Sequence, residues 1–496
     1  MPLSYHDRKS CNDQKVYPMT NAPITSSFIS FFGIIAKPSA LSLSMSTVTP
    51  LMELKKVIAM SAPMVGVTSL QYLLQVVSLT MVGHVGELQL AGASMAVSFA
   101  SCFGFSVLVG MAGALETLCG QAFGASQFRK LGSYANVAST VSVAVCIPIS
   151  IVWLFTDKIL ILIRQDEVIS LAAREYAVWL IPCLFPYGIL QMLTRFFQSQ
   201  GLILQMLVVS FAAFCIHLPI CWFMVFKIPL GFRGGALSLC IAYWVNVVSL
   251  CFYVKYSTTF QHTRCPFSVD FVPRIKEFVK LAAPSAFMTC VSWWAFEAII
   301  ILSGLLPNPK LETSVISVCF SLMYIQYFVS FGIAAIASVR VSNELGADNP
   351  KGAEMVSWVV LGVGSSEVLI VCVPLFACRR VVGYLFSSSK EVVGYVGDVI
   401  PYACICMIMD TLQCILIGVV RGCGRQRMGL YVNLGAYFMM GIPLAAVLGF
   451  VVQMAGKGLL IGLATGSFVQ FLLLGVLTFT TDWTRQAAIA QERLLK

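Results

Sequence analysis

Long apolar runs constrain this chain more than any other feature. About twelve stretches of membrane-spanning length carry almost no charge. Their centres lie near Ser69, Ser101, Val143, Cys183, Phe214, Trp244, Ser292, Tyr324, Leu369, Met407, Phe438 and Gln470. A helix needs roughly 20 residues to cross a hydrocarbon core. A helix also satisfies its own backbone there, where no water can. The sequence therefore predicts an all-α integral membrane protein of twelve spans. Composition agrees, since only 11% of the 496 residues are charged, against about 25% in a soluble domain.

The net charge of +10 does not point to nucleic acid, because the basic residues sit between apolar spans rather than on one face. With both termini placed in the cytosol, 22 of the 32 Lys and Arg fall on the termini side and 10 on the other. That bias fits the positive-inside rule and an even number of spans. The 18 cysteines lie nearly all within apolar runs and form no CxxC pair. They read as small packing residues, with neither a metal site nor a disulfide framework expected. No phosphate-binding G-x-x-x-x-G-K-[ST] motif, HExxH or GxSxG occurs. Neither ATP-driven transport nor enzymatic catalysis is therefore expected, and no cofactor is implied.

A repeat sets the architecture. Pro63 and Pro284 stand 221 positions apart, and Gly83 and Gly304 share that offset. Gln121–Ala125 answers Asn343–Ala347 at 222, Pro182 answers Pro401 at 219, and Gly201 answers Gly424 at 223. Two halves of six spans each have the same membrane orientation, so they should be related by an axis along the membrane normal. The expected layout is a disordered segment 1–52, an N-lobe 53–258, a cytosolic linker 259–273 hinged at Cys265-Pro266, a C-lobe 274–482 and a cytosolic tail 483–496. A solute cavity belongs between the lobes near the midplane.

Charges inside spans are costly and therefore informative. Glu297 on the seventh span and Asp410 on the tenth have no Lys or Arg within one helical turn. A carboxylate in such surroundings favours its neutral form and can exchange a proton when its hydration changes. At the repeat offsets Asp410 corresponds to Gln191, and Glu297 to Val76 beside Gln75. The titrating groups thus fall in the C-lobe alone. Thr68, Gln71, Gln75 and Ser78 share one face of the first helix. Trp293 and Trp294 precede Glu297 by four and three residues, Tyr324 and Tyr327 sit on the eighth span, and Gln413 is one turn beyond Asp410. Together they suggest an aromatic cavity for flat, apolar, even cationic molecules. Glu116, near the cytosolic end of the second span, reads as a capping or gating residue. His84 and His217 read as structural.

Met111–Ala125 (MAGALETLCGQAFGA), Ser303–Ser314 (SGLLPNPKLETS), Ser338–Ala347 (SVRVSNELGA) and Val420–Gly424 (VRGCG) resemble, in order and spacing, the multidrug and toxic compound extrusion family, above all its plant DETOXIFICATION-type branch. The resemblance covers roughly residues 53–485. It implies a V-shaped fold of two six-helix lobes and export of small organic solutes driven by a proton gradient. The family's coupling acids on helices seven and ten read here as Glu297 and Asp410. The N-lobe aspartate of some bacterial relatives is replaced by Gln71 and Gln75. A monomer in the plasma or vacuolar membrane is expected, meeting only its solute and lipid. Other readings stay open. An organic-anion (citrate-like) exporter would place Lys or Arg in the cavity, and the span interiors offer no clear one. A lipid-precursor flippase would bring a lipid-facing portal and an extra helix pair, neither evident in the sequence. A membrane scaffold or channel would show no solute counterflow.

Overall fold

Twelve helices long and apolar enough to cross a membrane follow one another along the chain. They belong to a computed structural model that describes residues 49–265, 271–386 and 389–495. The first six are α1 (Pro50–Gly83), α2 (Glu87–Gly124), α3 (Phe128–Leu154), α4 (Glu167–Ser199), α5 (Ile203–Phe226) and α6 (Phe232–Tyr256). The second six are α7 (Phe271–Ser303), α8 (Pro309–Gly346), α9 (Pro350–Ala377), α10 (Lys390–Gly422), α11 (Gln426–Val451) and α12 (Ala455–Phe479). An additional helix, α13 (Trp483–Leu495), follows. Most of the expected disordered segment lies outside the described residues, as does Pro266 of the expected hinge. Residues 50–52 are already helical, because Pro50 stands in the first turn, where its fixed φ suits a helix start.

Local chemistry explains the boundaries. Asp166 accepts from the Ile169 amide at 3.0 Å to open α4, and Asn349 accepts from Gly352 at 3.1 Å to open α9. Both pairs of helix ends that the repeat matched adopt the same backbone. Ser126 and Asp348, 222 positions apart, each have φ +57°, and Gly201 and Gly424 have φ +72° and +76°. Gln127 N donates to Ala122 O at 2.8 Å, as Asn349 N does to Glu344 O at 2.9 Å. These are the left-handed helix stops in which a terminal amide closes back on an orphan carbonyl.

The two sets of six meet along a seam of α1 and α2 against α7, α8 and α9. The seam carries the repeat's symmetry. A Cβ on Gly124 would overlap the Asn343 carbonyl, and one on Gly346 would overlap Gln121. Position 124 corresponds to 346 and 121 to 343, so the contact is reciprocal, as a two-fold axis requires. Gly120 abuts its own counterpart, Ser342, which puts that pair on the axis. On the same end of the bundle α13 ties both lobes together. Gln491 Nε2 donates to Gly346 O at 2.9 Å, and Arg493 Nη1 to Gln121 Oε1 at 2.7 Å. Described residues from Thr49 onward form one compact unit.

Candidate functional site

Glu297 points across the seam. Ser98 Oγ of α2 donates to its Oε2 at 2.8 Å. One turn earlier on α7, Trp294 donates its indole N–H to Cys102 O at 2.9 Å. That carbonyl lies in a π-helical turn at Ser101–Phe105, where the widened ladder leaves an acceptor for a neighbouring helix. Trp293 takes a different direction and donates to Tyr327 Oη of α8 at 3.2 Å. The two tryptophans expected to accompany Glu297 therefore separate, with Trp294 bridging the lobes and Trp293 turning into the C-lobe.

Asp410 lies on α10, the span with the largest share of buried residues. It is buried, and Gln413 Nε2 donates to Oδ1 at 2.7 Å. Tyr324 packs on Phe320 with 6.1 Å between ring centroids, and Tyr327 on Phe331 with 5.8 Å. The Trp293–Tyr327 bond ties α7 to α8. Among the described residues, no Lys or Arg forms an ion pair with either carboxylate.

The polar stripe of α1 shares a face as expected, but its members reach different helices. Thr68 donates to Phe328 O of α8 at 3.0 Å. Gln71 Oε1 accepts from Gln191 Nε2 of α4 at 3.4 Å, and Gln75 Nε2 donates to Tyr243 Oη of α6 at 3.4 Å. Ser78 meets His217 of α5 at 3.1 Å, and the other nitrogen of that ring lies 3.3 Å from Ser238 O. This amide and hydroxyl row joins helices of the N-lobe, with Thr68 reaching the partner lobe.

Glu116, read as a capping or gating residue near the end of its span, is fully buried, 3.1 Å from the equally buried Arg195. At about 1.5 Å per residue it lies ~12 Å inside the end of α2, and that end is itself covered by the seam and α13. Two arginines that the sequence assigns to cytosolic loops are also buried, near the ends of α4 and α10, so the expectation of no inward-facing Lys or Arg needs correcting. Arg195 donates to Gln198 at 2.9 Å and lies over the Phe331 ring at 5.3 Å. The buried Arg421 reaches Thr289 at 3.4 Å. Each sits near a helix end in sequence and so looks like a loop cation. Side chains lean toward the helix N-terminus, and on α4 and α10 that carries both guanidinium groups inward. Arg340 likewise holds Glu53 with bonds of 2.7 and 3.0 Å, pairing α8 with α1 across the seam.

One intramembrane carboxylate escaped the sequence reading. Glu367 lies within α9, where Gln326 Nε2 of α8 donates to its Oε2 at 2.8 Å. The same amide approaches Ser330 and Thr411 at 3.4 Å, and Ser330 and Thr411 lie 2.7 Å apart. Glu367 stands two residues from the predicted centre of the ninth span, so the rule that selected Glu297 and Asp410 would have selected it too. Ser98 carried no such signal, because its role depends on a helix 199 positions away.

The MatE family model matches this chain twice, at residues 63–223 and 284–447, which reproduces the repeat at its 221-residue offset. Protein DETOXIFICATION 10 of Arabidopsis thaliana is 46% identical over 89% of this chain and 91% of its own. Protein DETOXIFICATION 14 of the same plant is 46% identical over 90% and 92%. The crystal structure of the eukaryotic MATE transporter AtDTX14 superposes with a TM-score of 0.86 at 46% identity, covering 90% of this chain and 99% of that one. An outward-facing multidrug resistance MATE transporter of the MOP superfamily shares the fold, with a TM-score of 0.78 at 15% identity over 89% and 97%.

Proposed function

This chain belongs to the MatE family of multi-pass membrane transporters, and on that premise we propose that it is a proton-coupled antiporter exporting small organic solutes, secondary metabolites or xenobiotics, across the plasma or vacuolar membrane. The observation that carries the reading is the pair of C-lobe carboxylates held by neutral donors alone, Glu297 by Ser98 and Asp410 by Gln413. A buried acid with a cation partner stays charged through a transport cycle. One with only an amide or hydroxyl partner can change its charge when water reaches it.

The cycle follows from the seam. Proton uptake from the acidic side neutralises the C-lobe acids and favours one arrangement of the lobes. Loss of the proton to the cytosol, where both termini are placed, restores the negative charge that attracts the solute. Glu297 bonds directly to α2 of the other lobe, so its charge acts on the seam itself. Trp293, Trp294, Tyr324 and Tyr327 supply flat apolar surface, and Gln71, Gln75, Gln191 and Gln413 supply neutral polar groups. The test is transport in proteoliposomes under an imposed pH gradient with a panel of plant metabolites. Solute movement that is independent of the gradient would reject proton coupling.

A second reading is an organic-anion exporter, favoured by the buried Arg195 and Arg421. The two readings differ in sign. Protons compete with a cationic solute for the carboxylates. For an anionic solute, neutralising Asp410 would remove a repelling negative charge and strengthen binding. Solute affinity measured at two pH values separates them.

A further inference from the structure

Glu367 is used by neither half of that mechanism, and its surroundings differ from those of Glu297 and Asp410. It lies about 25 Å from the start of α9 and ~15 Å from its end, well inside the span. Of the twelve spans, α9 has the smallest share of buried residues. Glu367 borders a groove of about 760 Å³ between α1 and α9, lined by Leu51 and Ile58 on one side and by Val359, Val363 and Ile370 on the other. Leu51, Ile58 and Ile370 are exposed on the bundle's outer surface, where hydrocarbon would surround them. Ser366 and Glu367 are the polar members of the lining. Among the described residues no Lys or Arg pairs with Glu367, and the amide of Gln326 is its one hydrogen-bond donor.

A carboxylate beside lipid is expensive unless it is paired, and an intramembrane acid marks a binding or transport path by default. Apolar walls of drug-accommodating size with one convergent charge describe a site for an apolar body carrying the opposite charge. We propose that the α1–α9 groove is a lateral site for a lipophilic organic cation, an aromatic ammonium or phosphonium, which arrives from within the bilayer and is held by Glu367. The groove joins one helix of each lobe, so its width depends on how the lobes stand. Behind Glu367, Gln326 connects to Ser330 and Thr411, the residue next to Asp410. Occupancy of the groove is thereby placed one residue from the acid proposed to carry the proton. The inference rests on the transport reading for its purpose but not for its chemistry.

A photoactivatable azido derivative of tetraphenylphosphonium tests it on the full-length protein in nanodiscs. Its permanent charge removes titration of the ligand from the result. Labelled peptides should map to residues 50–58 and 359–371. Glu367→Gln should weaken that labelling at least about thirtyfold, as loss of a desolvated charge partner does. Gly362→Phe offers an independent block. A Cβ there meets nothing within 4 Å, so the ring can enter the groove without displacing the backbone. Loss of groove label in both variants, with label kept in Glu297→Gln, supports the site. Label confined to α2, α7 and α10, or unchanged in both groove variants, overturns it. So does finding a phospholipid or residues 1–48 in the groove in place of the cation. A pH gradient that drives the cation while the groove variants behave as wild type sinks the groove and leaves the antiporter standing. Groove label without gradient-driven movement does the reverse.

Discussion

The two lobes share a fold and differ in how they treat buried charge. In the N-lobe the deeply buried acids Glu116 and Glu53 each meet a guanidinium, Arg195 at 3.1 Å and Arg340 at 2.7 Å, while the polar row of α1 makes neutral contacts. In the C-lobe Glu297, Glu367 and Asp410 are held by a serine, a glutamine and a glutamine. A paired buried charge is locked, since removing either partner strands the other. A carboxylate with neutral partners can lose its charge without stranding anything. On the proposed mechanism this difference leaves one lobe rigid and puts titration in the other, although both share one plan.

The largest effect should follow from removing that titration. Asp410→Asn and Glu297→Gln should each abolish gradient-driven solute movement in proteoliposomes while the elution profile in detergent stays that of the wild type. Full transport by both variants would erase the functional contrast between the lobes. Next comes the locked pair. Arg195→Met should destabilise the protein by about 3–5 kcal/mol, the cost of stranding a buried charge. Adding Glu116→Gln should recover much of it. Thermal unfolding in detergent measures both, and a single variant as stable as the double would show that Glu116 is not locked.

A smaller effect belongs to the seam. Glu53→Gln removes a charge-assisted pair to Arg340 and should cost about 1.5–3 kcal/mol. Because that pair joins the lobes, spin labels on α1 and α8 should also report a broader distance distribution. An unchanged distribution would remove Glu53 as a clasp. The smallest effect is expected in the neutral row of the N-lobe. Gln75→Leu gives up one hydrogen bond to Tyr243 and should cost about 0.5–1.5 kcal/mol in unfolding, with gradient coupling intact. Loss of coupling there would move titration chemistry back into the N-lobe.

Much of this was legible in the chain. Apolar runs showed the spans, and a recurring offset of 219 to 223 positions showed the halves. The match of Gln121–Ala125 to Asn343–Ala347 carries over into paired helix stops at Ser126 and Asp348, because a left-handed residue after a glycine-bearing helix end is a local event. Glu297 and Asp410 stood out because a carboxylate in an apolar run is rare whatever surrounds it. Arg195 and Arg421 did not, since their positions near helix ends imitate loop cations and only the inward lean of the side chain places them inside. The partner of Glu116 was equally hidden, because Arg195 lies on another helix and only packing brings the two together.

Sequence by itself thus determined what lipid demands of any chain: helices, their number, their duplication, and which acids must enter the membrane. Those are properties of single segments, set by transfer free energy and backbone satisfaction. Tertiary structure decided who meets whom. It gave Glu116 an arginine and left Asp410 an amide. It turned Trp293 and Trp294 to different helices, and it opened a groove beside Glu367. Partners 34 to 372 residues apart are chosen by how helices pack, and a hydropathy pattern carries no record of that choice.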